Sequence, residues 1–198
     1  EGMDDADVLI MLGTDFPYDQ FLPNTFTVQV ENRPEKLGRR TDVSLPIHSD
    51  VKPLIAALLP LLNRDRSDAF LKAKVKKHSK IMHSPVGAYT RNAEHMKPIH
   101  PEYAAHILNE VAAKDAVFTA DTGMCNVWTA LYIDPLGSRR LIGSLLHGSM
   151  ANALPMAIGA QVAYPNRQVV SVSGDGGLAM LLGELVTARM HDLPIKVV

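Results

Sequence analysis

Gln168-Val-Val-Ser-Val-Ser173-Gly174-Asp175-Gly176-Gly177 is the stretch that decides how this chain folds. Its first half is a β-branched run of the kind buried in a parallel sheet. Its second half holds Asp-Gly, a dipeptide that also marks hairpins. The residues that follow choose between the two readings. Leu178, Leu181, Leu182, Leu185, Val186 and Met190 recur at helical spacing, with few β-branched residues among them. The segment is a strand, a glycine turn and a helix running from Leu178 to His191. Such a turn presents backbone N–H groups at a helix start and lets a phosphate come close. A carboxylate there repels a bare phosphate. Asp175 makes sense as the holder of a divalent cation that bridges to a diphosphate, and Mg²⁺ suits one or two protein oxygens plus phosphate oxygens.

Working outward, strands and helices alternate. His100-Pro101 opens a helix marked by Ala104, Ile107, Leu108, Val111 and Ala112, with Pro101 in its first turn. Ala116–Ala120 is a strand that ends at Asp121-Thr122-Gly123. Residues Met124 to Tyr132 form a helix, Arg139 to Ile142 lead into a short strand, and Ala151 to Ala163 form an alanine-rich helix. Pro194 to Val198 reads as a strand beginning. Toward the N-terminus, Asp7-Val-Leu-Ile-Met-Leu12 is a strand expected to be buried on both faces, closed by Gly13. Thr27-Val-Gln-Val-Glu31 is a second strand. Asp50 is placed to cap a helix carrying Leu54, Ile55, Leu58, Leu59 and Leu62, with Pro53 in its first turn. Between the halves, Arg64 to Lys97 is polar and basic, with Lys72, Lys74, Lys76, Lys77 and Lys80 close together; this is a solvated helix running into a linker. The expected organisation is α/β, with a first domain over 1–79, a linker over 80–98 and a second domain over 99–198.

Composition narrows the function classes. The 198 residues are 46% hydrophobic and 21% charged, which is globular composition. A net charge of −1 gives no footprint for nucleic acid. Cys125 alone permits no internal disulfide and fits a reducing compartment. The longest apolar run, Leu54 to Leu62, contains Pro60 and falls well short of the ~20 residues of a bilayer span. The eight histidines lack paired ligand spacing, which argues against zinc. Glu1 in place of Met and a strand just starting at Pro194 lead us to expect an internal piece of a longer protein.

Gly174-Asp175-Gly176-Gly177 resembles the opening of the thiamine diphosphate signature, which closes with Asn-Asn. Leu145-Leu-His-Gly-Ser-Met-Ala-Asn-Ala-Leu-Pro155, followed by Gly159-Ala160, and Asp121-Thr122-Gly123 with Val127-Trp128 resemble bacterial pyruvate oxidases. More narrowly they resemble the quinone-reducing pyruvate dehydrogenases, as does Leu12-Gly-Thr-Asp-Phe-Pro-Tyr18. The resemblance implies the second part of a doubly wound flavin-binding domain, followed by the first part of a thiamine diphosphate-binding parallel-sheet domain. It also implies oxidative decarboxylation of pyruvate to acetate and CO₂, with thiamine diphosphate, Mg²⁺ and FAD, and with a quinone as electron acceptor. A family member of this kind is a cytoplasmic homo-oligomer, a dimer of dimers, peripheral on the inner face of the cell membrane. An acetolactate synthase-like carboligase, in which FAD is not redox-active, is the alternative within the superfamily. Outside it stands a noncatalytic assembly fragment, because the resemblance places the activating glutamate in a domain that no residue here matches.

The same resemblance assigns residues. Gly174, Asp175, Gly176 and Gly177 hold the diphosphate, with Asp175 as the metal ligand. Gly148, Ser149 and Met150 meet the middle of the cofactor, where the bulk of Met150 props the bent conformation that makes proton removal effectively intramolecular. Asp121, Thr122 and Gly123 lie near the aminopyrimidine, and His147 orients pyruvate unless it is a plain loop histidine. Phe16, Pro17, Tyr18, Asp19 and Gln20 match the flavin-contact loop. Glu31, Asn32 and Arg33 match the adenosine side, with Glu31 replacing a more usual Asp. Ser49, where a glycine is usual, adds bulk near the flavin.

Overall fold

The computed structural model describes residues 3, 5–62, 67–83, 93–135 and 137–198. The chain forms two compact units, Glu1–Ser79 and Lys80–Val198, each built on a parallel sheet. The stretch 84–92 of the expected linker lies outside the described residues. No helix among the described residues is long and apolar enough to cross a membrane.

The first unit has three strands in the order β1 (Val8–Leu12), β2 (Phe26–Glu31), β3 (Leu45–His48), all parallel. Helices α1 (Val51–Leu58) and α2 (Ala69–His83) follow. Strand β3 was not visible in the sequence, because Pro46 argues against a strand. It is tolerated here because β3 is an edge strand, where a missing N–H leaves no neighbour unpaired. The two faces of this sheet differ. Met11, Thr27, Gln29 and Glu31 are buried. Gln29 holds down the connection after β2, accepting from the Gly38 N–H and donating to the Lys36 carbonyl. On the other face Val8, Ile10, Leu12, Phe26 and Leu45 are 41–54% exposed. This corrects the expectation that β1 is buried on both faces. An apolar run cannot distinguish a strand packed on both sides from one whose second face stays open. Asp50 also departs from expectation: it precedes α1 but makes no side-chain cap, and Oδ1 instead accepts from Asn32 Nδ2 at 3.0 Å. Helix α2 carries the expected basic run and is exposed at most positions over 69–77; Lys72 pairs with Asp68, and the half-buried Lys74 with Asp5.

The second unit orders its strands β5 (Arg140–Gly143), β4 (Val117–Ala120), β6 (Val169–Val172), β7 (Lys196–Val197), all parallel. Helix α3 (Pro101–Val111) precedes β4, and α4 (Met124–Tyr132) follows it. Helix α5 (Ala153–Ala163) joins β5 to β6. Helices cover both faces. Phe118 and Val170 pack with Ala112 and Ile133 on one side, while Val117 and Val169 meet Ala157 and Ala160 of α5 on the other. Small residues at Ala153, Ala157 and Ala160 form one face of α5 and let it lie close on the sheet. Burying Phe118 completely is worth about 3–5 kcal/mol against alanine, so the core sits under the central strands.

The single helix expected from Leu178 to His191 is two. Helix α6 (Asp175–Met180) ends where Leu181 leaves helical geometry, and α7 (Glu184–Met190) restarts after Gly183. Bonds from Glu184, Leu185 and Val186 N–H to carbonyls three residues back tighten the joint. Glycine is the poorest non-proline helix former, and apolar spacing carries no trace of such a break.

Candidate functional site

Three segments of the second unit meet at the carboxyl ends of its strands, where open α/β sheets present their clefts. They are the β4–α4 turn, the β5–α5 loop and the β6–α6 turn. The β5–α5 loop is folded largely on itself: Gly148 N–H donates to the Ser144 carbonyl at 2.7 Å, and Ser149 N–H to Ser144 Oγ at 3.1 Å. Gly148 takes φ +65°, a conformation glycine adopts without strain, and faces the Thr122 methyl. Asn152 Nδ2 donates to the Ser149 carbonyl and closes the loop onto α5.

Met150 reaches from this loop to the glycine turn. A Cβ built on Gly176 stands 3.4 Å from Met150 Cε, so the loop and turn are in van der Waals contact. Met150 is nevertheless half exposed, which leaves its side chain able to support a ligand. Gly174 is extended at φ −74°, ψ 160°, and Asp175 opens α6 with its side chain exposed. No cluster of three or more His, Cys, Asp or Glu forms among the described residues. A lone exposed carboxylate in a glycine turn fits Mg²⁺, which takes few protein oxygens and completes its shell with phosphate and water. Gly148, Ser149, Met150, Gly174, Asp175, Gly176 and Gly177 are thus brought to one rim. Leu145, Leu146 and His147 are exposed beside them.

Asp121 is placed differently from its neighbours Thr122 and Gly123. It is 1% exposed, and its carboxylate is turned inward. Oδ1 accepts from Asn152 N–H at 2.7 Å, Asn152 Nδ2 at 3.1 Å and Ala153 N–H at 3.2 Å, capping the start of α5. A carboxylate at a helix N-terminus meets the positive end of the macrodipole as well as its free N–H groups. Cys125 Sγ–H donates to the Asp121 carbonyl, so the lone cysteine is a buried packing residue.

In the first unit a small cleft opens at the carboxyl ends of the strands, lined by Gly13, Glu31, Asn32, Ser49, Asp50 and Val51. Glu31 is buried, and Oε1 accepts from Arg33 N–H at 3.1 Å. The Arg33 side chain turns away to Glu35. Phe16, Pro17, Tyr18, Asp19 and Gln20 contribute nothing to the lining of this cleft. Phe16 and Tyr18 stack edge to face, and Asp19 Oδ1 accepts from Gln20 N–H. Nearby, Arg39 and Arg40 both grip Asp15, and the hydrogen bond from Arg40 holds that carboxyl below its usual range. Buried Glu31, with Asn32 and Asp50 at the rim, suits the hydroxyls of a nucleotide.

Sequence reasoning missed Arg139. The residue is 9% exposed, and its guanidinium donates to the carbonyls of Asn109, Ala112 and Ala113 and to Asn109 Oδ1, so it serves as the C-terminal cap of α3. Only its place before a short strand was legible; nothing in the sequence says that the residue points back across two elements.

Residues 121–198 match the family model described as thiamine pyrophosphate enzyme, C-terminal TPP binding domain. Residues 1–58 match the thiamine pyrophosphate enzyme, central domain. The chain belongs to the thiamine pyrophosphate-dependent enzyme family, and carries its central and C-terminal domain types in that order. Among curated relatives, it is 34% identical to YdaP of Bacillus subtilis, provisionally named a thiamine pyrophosphate-containing protein, over 100% of this chain and 34% of that protein. It is 30% identical to the acetolactate synthase large subunit IlvB1 of Mycobacterium tuberculosis, over 97% of this chain and 32% of that protein. It is 27% identical to the pyruvate oxidase of Lactiplantibacillus plantarum, over 98% of this chain and 32% of that protein. The chain spans about a third of the length of these relatives. The family expected from the glycine turn is confirmed. The narrower assignment to pyruvate oxidases is not, because acetolactate synthases match at least as well.

Proposed function

We propose that the protein carrying this chain oxidatively decarboxylates pyruvate, with thiamine diphosphate, Mg²⁺ and FAD, and passes the electrons to a quinone. Pyruvate and water give acetate, CO₂, two protons and two electrons, and the quinone takes up the electrons. The observation behind this reading is the meeting of the 148–150 loop and the 174–177 turn on one rim, with Asp175 exposed at the start of α6.

Thiamine diphosphate, when bound, supplies the electron sink for loss of CO₂. The chain's own residues would position it. Asp175 offers a hard oxygen to Mg²⁺, and the Gly174–Gly177 backbone lies against the diphosphate. Gly148 and Ser149 line the middle of the site while Met150 supports the bend, and Thr122 and Gly123 border the aminopyrimidine. His147, exposed on the same loop, orients the pyruvate carboxylate. In the first unit, Glu31 and Asn32 would hold the adenosine side of FAD. The whole protein assembles with itself and works in the cytoplasm, peripheral on the inner face of the membrane.

A second reading has specific support. The acetolactate synthase is 30% identical and the pyruvate oxidase 27%, so carboligation of two pyruvates is as well supported by similarity. Product analysis of the full-length protein with pyruvate, thiamine diphosphate, Mg²⁺, FAD and a soluble quinone separates them. Acetate formed in step with quinone reduction supports the first reading; acetolactate formed without it replaces that reading with the second.

A further inference from the structure

We infer that Asp121 and Gly177 form a positioning couple that sets the seat of the Asp175 turn; the inference rests on the thiamine diphosphate reading above. Asp121 is almost fully buried, and its two carboxylate oxygens have different surroundings. Oδ1 takes three donors from the start of α5. Oδ2 is buried without a hydrogen-bond partner and lies against Gly177 in the first turn of α6. A Cβ on Gly177 would stand 2.0 Å from Oδ2 and 2.8 Å from Cγ, distances that no relaxed structure keeps. Gly177 is therefore glycine for lack of room, with nothing unusual required of its backbone.

The consequence reaches the site. Gly177 and Asp175 are two residues apart in one rigid helical turn, so pushing Gly177 off the carboxylate carries Asp175 with it. The carboxylate cannot retreat, because Oδ1 is pinned to α5 and the Asp121 N–H is bonded to the Val172 carbonyl at 3.0 Å. Ala151, 5% exposed at φ +62°, backs the same contact, its N–H nitrogen 3.4 Å from the built Cβ. One buried carboxylate thus indexes the glycine turn against both the β4 end and the β5–α5 loop that carries Met150. Asp121 touches no ligand in this scheme and acts through α6.

The test is a double-mutant cycle on the full chain, with thiamine diphosphate and Mg²⁺ as probes. Gly177→Ala should weaken Mg²⁺-dependent thiamine diphosphate binding by about tenfold or more, the scale of losing an outer-shell support. Asp121→Ala should weaken it similarly, and Asp121→Asn, which keeps an acceptor for α5, should recover most of the loss. In the Asp121→Ala background Gly177→Ala should cost nothing further, because the clash has no partner. Equal fold-losses from Gly177→Ala in both backgrounds overturn the couple. So does an affinity unchanged by Gly177→Ala while the cofactor-free melt falls, which is the signature of a structural contact alone. If Gly177→Ala does not fold, recovery of folded protein in the double variant supports the couple, and no recovery refutes it. Absence of binding by the wild type sinks the cofactor reading instead, and the melt cycle still decides whether the two residues clash.

Discussion

Asp175 and Asp121 are both carboxylates at the carboxyl end of a strand, yet the structure gives them opposite surroundings. Asp175 is exposed and unoccupied by any protein donor, whereas Asp121 is buried and spent on α5. The first placement was legible, because the glycine turn that carries Asp175 opens a helix and leaves the residue at the surface. The second was not, because Asp-Thr-Gly after a strand reads equally as an exposed turn until the packing is known. The contrast yields a prediction at Asp175. Asp175→Ala removes one hard ligand from an ion that demands near-octahedral coordination. Thiamine diphosphate affinity at fixed Mg²⁺ should fall by more than the roughly 10- to 100-fold that an outer-shell change costs. The cofactor-free melt should stay within about 0.5 kcal/mol of wild type, as for surface positions elsewhere. Equal affinity in the two proteins would remove Asp175 from the metal site.

Among the elements, helices with clear apolar spacing and strands with β-branched runs were legible, and α3, β4, α4, α5 and β6 lie where the pattern puts them. The failures have different causes: tertiary context overrode local preference in one, and a local interruption went unread within a regular apolar pattern in the other. Proline was accepted on edge strand β3, and α6 ends at Leu181, two residues before Gly183 leads into α7. The α3–α4 contact was invisible for a related reason, since it joins residues thirty positions apart. Tyr132 Oη–H donates to Glu102 Oε2 at 2.6 Å. Burial first, then this bond and the carboxylate's charge, push the phenol well above its usual range. The folded state therefore keeps a proton that the unfolded chain releases near pH 10. The stability from this group is full below about pH 10 and is lost as pH climbs from there toward the folded value. Urea unfolding at about pH 9 and about pH 11 should show a steeper loss for wild type than for Tyr132→Phe. Parallel losses in the two proteins would mean that Tyr132 does not carry the alkaline dependence.

For the molecule as a whole, the governing feature is how much apolar surface the second unit exposes around its site. Leu145 and Leu146 are 72% and 86% exposed on the β5–α5 loop; Met180, Val186 and Met190 are 61–75% exposed on α6 and α7. Single exposed apolar residues are ordinary, but a group on the elements that form the site marks a surface that is covered when the protein works. In the proposed homo-oligomer a second copy would cover this surface with a matching apolar one. The chain should therefore associate in a concentration-dependent way, with an apparent mass by light scattering that rises with concentration. Leu146→Ser together with Val186→Ser should shift that curve to higher concentration by at least about tenfold, since each fully buried aliphatic side chain is worth about 1.5–3 kcal/mol. The melt should barely move, because neither residue packs in the core of the free chain. Thiamine diphosphate binding should weaken in step with association if the second copy completes the site, and stay constant if it only covers a surface. A wild-type chain that remains monomeric at high concentration, or a double variant that associates as the wild type does, rules out self-association through this face.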